Sequence, residues 1–170
     1  MSARPQEKLA MRPMLPADVP LLAEIFRASV EELAADDYSE GQQKAWASAA
    51  DDEEEFGARL AGELTLVATV GGAAIGFASL ADNSKIDMLY VHPAASGQGA
   101  AVMLCDALEK LAAARGAKEL TVDASDSARG FFERRGYAAK TRNTVTVNGE
   151  WLANTTMVKP LVAGAVKASA

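Results

Sequence analysis

A glycine-containing turn before a long helical pattern is the segment with the clearest chemical potential. Gly97 and Gly99 lie in this turn, after the apolar stretch that ends at Val91. Glycine lets a backbone approach a ligand closely, and the free N–H groups of a first helical turn carry the positive end of the helix dipole. The turn therefore predicts a site for a pyrophosphate or another anion. No lysine or arginine lies in it, so backbone amides would make the contacts.

The spacing of these glycines separates several alternatives. The purely structural alternative is a tight strand-to-helix connection that binds no ligand. A Walker A loop needs Gly-Lys-Ser/Thr, which the sequence lacks. A dinucleotide fingerprint needs a third glycine where Val102 stands, and its turn follows the strand directly, whereas residues 92–96 intervene here. Because Asp123 does match the position of a ribose-binding acid, a dinucleotide-binding enzyme stays open as an alternative.

The elements predicted around the turn describe a mixed α/β domain. Helical periodicity marks three N-terminal segments that begin near Asp18, near Ser39 and in the acidic run 51–55. The dipeptides Gly71-Gly72 and Asn148-Gly149 are hairpin signals between strand-like stretches. The predicted strands cover residues 10–14, 64–70, 74–80, 86–91, 119–123, 140–147 and 151–159, and two later helices cover residues 99–115 and 128–135.

Composition limits the partners of this domain. The 170 residues carry a formal net charge of −6, so we expect no nucleic acid partner. One cysteine and one histidine allow neither an internal disulfide nor a Cys/His metal cluster, and we expect no metal. With no secretory signal and no apolar run of ~20 residues, we expect no membrane association and a cytoplasmic location. We expect a single domain over residues 1–160 and a flexible tail over residues 161–170.

Two motifs, in the right order, are similar to those of one enzyme family. Residues 89–93 (LYVHP) and 97–101 (GQGAA) together resemble motif A of the GCN5-related N-acetyltransferases, the GNAT family. That motif is an apolar strand with Val-x-Pro, followed by Arg/Gln-x-x-Gly-x-Gly/Ala. Residues 128–137 (ARGFFERRGY) resemble motif B, in which an apolar-aromatic pair and a charged turn precede Gly-Phe/Tyr. Residues 37–39 and 86–90 are also similar to a poorly characterised bacterial subgroup.

The resemblance covers about residues 64–159 and implies the acyl-CoA N-acyltransferase fold. That fold has N-terminal helices and a mostly antiparallel sheet with a parallel strand–helix–strand core. Acetyl-CoA would be the cosubstrate, with its pantetheine arm beside the strand that ends at Val91 and its pyrophosphate on the amides of the turn. The implied coenzyme-binding residues are Leu89, Tyr90, Val91, Gly97, Gln98, Gly99, Ala100, Ala101, Val102, Ser125 and Phe132.

Three positions depart from the family pattern. Phe132 stands where a tyrosine often protonates the departing thiolate, Ser125 replaces a common asparagine, and Ser96 replaces an Arg or Gln anchor. A phenyl ring cannot donate a proton, although a thiolate with a pKa of ~8.5, like that of cysteine, leaves fairly readily. Tyr137 is the nearest replacement acid by sequence, and a core aromatic is its alternative role.

The general base has several candidates in the sequence. An amine of the lysine type has a pKa of ~10.4 and must lose a proton before it attacks a thioester. Asp87 is the first candidate, because strand alternation puts it on one face with Leu89 and Val91, where apolar neighbours would raise its pKa. Asp123 is the second candidate and His92 the third, and a proton relay through water remains open.

The resemblance implies transfer of acetyl from acetyl-CoA to a primary amine, and we expect direct attack in a ternary complex. Cys105 lies in an apolar helical stripe and is interpreted as core, which disfavours an acyl-enzyme. The alternatives are a non-catalytic acyl-CoA sensor or partner protein, suggested by Phe132, and the dinucleotide enzyme. The acceptor would be a small-molecule or peptide amine, and a homodimer is left open. Candidate acceptor contacts are Asp36, Asp37, Tyr38, Trp46 and Trp151.

Overall fold

Residues 8–33 and 35–161 are described by a computed structural model, and within them the chain forms five α-helices and seven strands. Of the tail predicted over residues 161–170, all but Leu161 lies outside the described residues. The helices are α1 (Val19–Leu33), α2 (Glu40–Ala47), α3 (Glu53–Ala61), α4 (Ala100–Ala114) and α5 (Arg129–Arg134). The strands are β1 (Leu9–Pro13), β2 (Leu64–Val70), β3 (Ala73–Ala81), β4 (Lys85–Val91), β5 (Glu119–Ser125), β6 (Ala138–Val147) and β7 (Glu150–Pro160).

The strands form one sheet in the order β1-β2-β3-β4-β5-β7-β6. All neighbouring strands run antiparallel except β4 and β5, which are parallel and are connected through α4. A parallel pair needs such a crossover, because a short turn cannot return the chain to the same end of the sheet. The predicted mixed α/β fold, with its parallel strand–helix–strand core, is confirmed.

Local sequence signals set the boundaries of several elements. Ser39 accepts a hydrogen bond from the Gln42 amide, and the Gln42 side chain accepts one from the Ser39 amide, so α2 begins with a capping box. Asn148 and Gly149 have positive φ angles of 46° and 79°, as a tight hairpin between β6 and β7 requires. Helix α1 begins directly after Asp18, as predicted, and the Asp18 carboxylate accepts from the Leu15 amide and from Arg12 in the turn before the helix.

Two apolar clusters cover the two faces of the sheet. On the face that we call the α4 face, residues of α4 and α5 pack on inward side chains of the strands, including Leu104, Leu108, Leu120, Phe132 and Met157. On the opposite face, the α1 face, α1 and α3 pack on the sheet with an aromatic-rich set that includes Phe26, Phe56, Phe77, Met88 and Leu152. The sheet therefore lies between two separate cores, and a ligand that touches both must pass through it.

The sheet is split at its only parallel pair among the described strands. β4 and β5 pair at Lys85↔Thr121 and Ile86↔Val122, and beyond these positions they separate. On its other side, β4 pairs with β3 at Ser79↔Met88 and Leu80↔Ile86, which leaves Asp87 as the extra residue of a β-bulge. The bulge and the split together open a gap in the middle of the sheet.

Candidate active site

The gap between β4 and β5 opens into a cavity of about 330 Å³. Its walls come from both apolar clusters, so the cavity reaches from the α4 face to the α1 face of the sheet. Wall residues on the α4 face are Ile86, Leu89, Val122, Ala124, Ala128 and Phe132, and those on the α1 face are Val30, Tyr38, Trp46, Met88, Tyr90, Val147 and Leu152. A cavity with these two walls can hold two different ligands end to end.

The α4-face wall contains the residues predicted beside a pantetheine arm. Leu89 and Ser125 line the cavity, and Val91 packs on the α4-face cluster. The Ser125 hydroxyl accepts a hydrogen bond from the Ala128 amide at 3.2 Å and so fixes the turn into α5. Phe132 is buried in the same wall, where it presents a ring and no proton donor.

The glycine turn lies at the N-terminus of α4, as predicted. Gly97 and Gly99 have φ angles of 82° and 87°, a left-handed conformation that residues with a side chain rarely adopt. Gly99 is the residue that precedes the helix, and no side chain caps it. The amides of Ala100, Ala101 and Val102 belong to the first turn, where an α-helix offers no internal acceptor. The turn thus presents free N–H groups and a helix dipole to an anion.

Tyr90 belongs to the other side of the sheet from its strand neighbours Leu89 and Val91. Its ring packs edge-on to Phe26 with centroids 4.7 Å apart. Its hydroxyl accepts a hydrogen bond from the indole N–H of Trp46 at 3.2 Å, and burial raises the pKa of this phenol to about 12. The side chain therefore lines the α1-face part of the cavity, away from the α4-face wall where the coenzyme residues were predicted.

Asp87 lines the cavity, but the prediction that it lies among apolar side chains is wrong. Because the bulge reverses the alternation of β4 at this residue, Asp87 turns to the α1 face, opposite to Leu89 and Val91. There Arg59 of α3 donates from Nε and Nη2 to the two carboxylate oxygens, both at 2.8 Å. Burial by itself raises the pKa of Asp87, but the hydrogen bonds from Arg59 and Glu63 and the charge of Arg59 outweigh it and lower the pKa. The predicted raised pKa is therefore corrected.

Tyr137 is not brought to the cavity. It is buried on the far side of Phe132, and its hydroxyl donates to Glu109 Oε2 of α4 at 2.9 Å. Burial and the nearby Glu109 charge raise the pKa of this phenol well above its ordinary value. The hydroxyl therefore has an acceptor of its own and points away from the place where a thiolate would leave, which corrects the prediction of a replacement acid.

The remaining candidates for a base or nucleophile, Asp123, His92 and Cys105, are each hydrogen-bonded or buried in the core. Asp123 lines the cavity, accepts from Lys85 Nζ and Thr156 Oγ1, each at 2.7 Å, and has a lowered pKa because these bonds outweigh its burial. His92 Nδ1 accepts from the Ala94 amide at 3.1 Å and caps the turn after β4. Cys105 is buried in α4, and burial raises the pKa of its thiol to about 12, as a core residue requires.

The α1-face wall combines aromatic rings with a few hydroxyl groups. The Tyr38 and Trp46 rings pack edge-on with centroids 5.4 Å apart. The Tyr38 hydroxyl donates to the Ala153 carbonyl at 2.8 Å and accepts from the Asp126 amide at 2.9 Å, so it joins the loop before α2 to β7 and to the turn after β5. The other predicted acceptor contacts are outside the cavity wall: Trp151 is 65% exposed on the β6–β7 hairpin, and neither Asp36 nor Asp37 lines the cavity.

Sequence reasoning missed two polar residues at the site. Ser29 of α1 is fully buried in the cavity wall, and its hydroxyl has no hydrogen-bond partner among the described residues. Glu63, between α3 and β2, lies beside Asp87, and burial, followed by the nearby Asp87 carboxylate, raises its pKa to about 7. Ser29 is one polar residue in an apolar helical stripe, a signal that was available in the sequence.

Within residues 8–33 and 35–161, no three His, Cys, Asp or Glu side chains form a group that could hold a metal ion. Among the described helices, none is both long enough and apolar enough to cross a membrane.

The fold matches that of acyl-CoA N-acyltransferases, and comparison with known proteins gives the family. The family model described as "Acetyltransferase (GNAT) domain" matches residues 34–161. The chain is 35% identical over 146 residues to the uncharacterized N-acetyltransferase YafP of Escherichia coli, covering 86% of this chain and 92% of YafP. The chain therefore belongs to the GNAT acetyltransferase family, as the motifs predicted, and it is an acetyl-CoA-dependent acetyltransferase.

Solved structures agree with this assignment. A crystal structure described as a GCN5-related N-acetyltransferase, "Aminotransferase, Class-II", from Rhodopseudomonas palustris is 61% identical, with a TM-score of 0.89 over 94% of this chain and 100% of that chain. The PaiA N-acetyltransferase of Thermoplasma acidophilum, solved with coenzyme A, is 20% identical and shares the fold, with a TM-score of 0.73 over 90% and 99%. The antiparallel order and these relatives argue against the dinucleotide alternative, and membership in an enzyme family favours a catalyst over a sensor.

Proposed function

We propose that the chain acetylates the primary amine of a small acceptor with an apolar or aromatic body, by direct attack on acetyl-CoA in a ternary complex. The observation that carries this proposal is the cavity that crosses the sheet between β4 and β5 and has a separate wall on each face. A coenzyme arm from the α4 face and an acceptor from the α1 face would meet in the gap. Bringing two reactants together in this way is itself a large part of catalysis.

Acetyl-CoA would bind along the α4 face. Its pyrophosphate would lie on the amides from Gly97 to Val102, and its pantetheine arm beside Leu89 and Val91, where β4 has separated from β5. Backbone groups of a strand without a neighbour can bond to such an arm as they would to another strand. The YncA acetyltransferase of Salmonella typhimurium, which has the same fold, was solved with acetyl-CoA, and this supports the same use of the fold here.

The acceptor would bind between α1, α2 and the β6–β7 hairpin. Tyr38, Trp46 and Leu152 give this part of the cavity an apolar and aromatic wall. Its two carboxylates, Asp87 and Asp123, are already paired with Arg59 and Lys85. They therefore offer little to the additional ammonium groups that a polyamine carries. The wall therefore favours an arylalkylamine over a polyamine or a lysine in a charged peptide. The buried Ser29 hydroxyl would bond to one polar group of the acceptor.

The chemical step would be a direct transfer. The amine nitrogen attacks the thioester carbonyl carbon with its lone pair, an N–C bond forms, and the C–S bond breaks with its electrons on the coenzyme A sulfur. Cys105 cannot serve as an intermediate nucleophile, because it is buried in α4 and its raised pKa keeps it a thiol. Initial rates should therefore follow sequential kinetics, with both substrates bound before product leaves. The cytoplasmic location predicted from the sequence remains a proposal, and so does a homodimer.

Titration calorimetry followed by thiol-release assays tests the proposal. Acetyl-CoA should bind, whereas NAD, S-adenosylmethionine and ATP should not. Thiol release should be faster with phenethylamine or tyramine than with spermidine or a lysine peptide. Trp46→Leu should raise KM for the arylalkylamine about tenfold, since each 1.4 kcal/mol of lost contact is a factor of ten, and leave KM for acetyl-CoA unchanged.

Trp151→Leu is the matched control, because this tryptophan is exposed outside the cavity, and it should change neither constant. Preference for spermidine, or equal effects of the two tryptophan variants, would remove the argument for an apolar acceptor. Absence of turnover with every amine, despite binding of acetyl-CoA, would count against amine acetylation.

A further inference from the structure

Four polar side chains meet on the α1 face of the sheet, under α3 and at the β4 bulge. Arg59 of α3 holds Asp87 through two hydrogen bonds of 2.8 Å. The carboxyl group of Glu63 lies within hydrogen-bonding reach of Asp87, and Ser79 of β3 is fully buried next to them. Asp87 is the member of this group that lines the cavity, with a side chain that is 12% exposed.

The geometry of the group favours one proton shared by two carboxyls. Glu63 Oε1 is buried and receives no hydrogen bond from an N–H or O–H group among the described residues. A buried carboxylate oxygen without a partner is costly, whereas a carboxylic acid can donate its proton to the neighbouring carboxylate. Arg59 neutralises only one negative charge, so the two carboxyls with one proton make a neutral group with it. In agreement, burial and the Asp87 charge raise the pKa of Glu63 to about 7.

We infer that Glu63 and Asp87 form one proton-accepting pair for the incoming amine, in which Asp87 contacts the acceptor and Glu63 holds the proton. The inference rests on the proposed amine acetylation. When both carboxyls are ionised, an N–H bond of the bound ammonium breaks with its electrons remaining on nitrogen, and an O–H bond forms on the pair. The nitrogen then has the lone pair that attacks the thioester. Glu63 acts only through Asp87, so it is a positioning residue.

Asp87 alone would be a poor proton acceptor at neutral pH, because the bonds from Arg59 and Glu63 lower its pKa. Glu63 supplies the missing basicity, since its proton is lost close to neutral pH. The titratable and charged groups that face the pair are Arg59 from α3, Lys85 and Tyr90 from β4 and Asp123 from β5, with the Ser79 hydroxyl from β3.

The pH dependence of kcat/KM tests the catalytic half of the inference. In the wild-type protein, kcat/KM for phenethylamine should rise with pH through about 7, as Glu63 loses its proton. Glu63→Gln, a substitution of nearly equal size, should remove this rise and lower the plateau by about 10²-fold, at the low end of what general acid–base catalysis contributes. KM for acetyl-CoA should not change. A rise that persists unchanged in Glu63→Gln overturns the inference.

Carbon-13 NMR of the free protein, labelled at glutamate side-chain carboxyls, tests the proton pair without any acceptor. One carboxyl should titrate near pH 7 in wild type, and its signal should be lost in Glu63→Gln and kept in Glu24→Gln, an exposed glutamate of α1. Asp87→Asn should move that titration to lower pH, because the neighbouring charge is gone. The inference that Glu63 and Asp87 share a proton is overturned if a carboxyl still titrates near pH 7 in Glu63→Gln. It is also overturned if no carboxyl titrates near pH 7 in wild type. Failure of every amine in the turnover assay would instead overturn the proposed function.

Discussion

The rings of Phe132 and Tyr137 pack edge-on with centroids 5.2 Å apart, yet only Phe132 faces the cavity. The Tyr137 hydroxyl is directed to Glu109, which also accepts from Arg135 at 3.0 Å and from Lys159 at 2.8 Å. The one phenol near motif B thus belongs to a charged network behind the site. As a result, the position from which a departing thiolate would be protonated is filled by a ring without a donor.

Restoring that donor should accelerate the enzyme. We expect Phe132→Tyr to raise kcat by about 10²-fold, at the low end of the range for a general acid, with little effect on KM for acetyl-CoA. Steady-state thiol release at saturating amine measures it. Phe131→Tyr is the matched control, since the adjacent ring packs on the α4-face cluster outside the cavity wall, and its kcat should not change. If kcat of Phe132→Tyr equals that of wild type, protonation of the thiolate does not limit turnover.

Tyr137→Phe should lower the stability of the protein without lowering its activity. It removes a hydrogen bond to a largely buried carboxylate, which is worth about 1–3 kcal/mol because the acceptor is charged. Thermal unfolding should show a lower Tm, while kcat and both KM values stay at the wild-type level. A fall in kcat of about 10²-fold at unchanged KM would return Tyr137 to the role of acid.

The glycine turn can be tested with two substitutions of equal backbone cost. Gly99 and Gly116 lie before and after α4, have φ angles of 87° and 93°, and both leave open space where a Cβ would stand. A valine at either position costs about 1–3 kcal/mol of backbone strain, so both variants should lose similar stability. Only Gly99→Val should abolish the affinity for acetyl-CoA, measured by calorimetry, because only this turn presents free amides. Equal affinities in the two folded variants would disprove the anion site.

Much of the fold could be predicted because its signals are local. Alternation and helical periodicity identified the strands and helices, and Asn148-Gly149 specified a tight hairpin whose positive φ angles are present. The same holds for the α4-face part of the site, where the glycine turn follows directly from the order of residues. Such features are determined by residues that are adjacent in the sequence, so they can be predicted from the sequence alone.

The sequence indicated Tyr38 and Trp46 of the α1-face part of the site, but the pairing of its charged groups could not be predicted, because it depends on contacts between distant segments. The bulge at Asp87 is defined by its pairing with Ser79 and Leu80, and it reverses the side to which Asp87 points. Its partner Arg59 is 28 residues away. Strand alternation alone therefore put Asp87 among apolar side chains, where its pKa would rise, instead of beside a guanidinium that lowers it. Burial and pairing decide a pKa, and neither is visible in a motif.

Glu63 should also make the stability of the protein depend on pH in a predictable direction. Its pKa is about 7 in the folded protein and 4.5 in an unfolded chain, so the folded state binds the proton more tightly. The free energy of unfolding should then fall as pH rises from about 4.5 to about 7, because the ionised group is tolerated better in the unfolded chain.

Glu63→Gln removes this titration, since glutamine stays neutral at every pH. Its gain in Tm over wild type should be larger at pH 8 than at pH 5, by about 2–4 °C for each kcal/mol of relief between the two pH values. Scanning calorimetry of both proteins at the two pH values measures the difference. Glu24→Gln, on the exposed side of α1, should show the same small change at both pH values. If the Glu63→Gln protein gains nothing at pH 8 relative to pH 5, the Glu63 carboxyl is not held protonated beside Asp87 in the folded state.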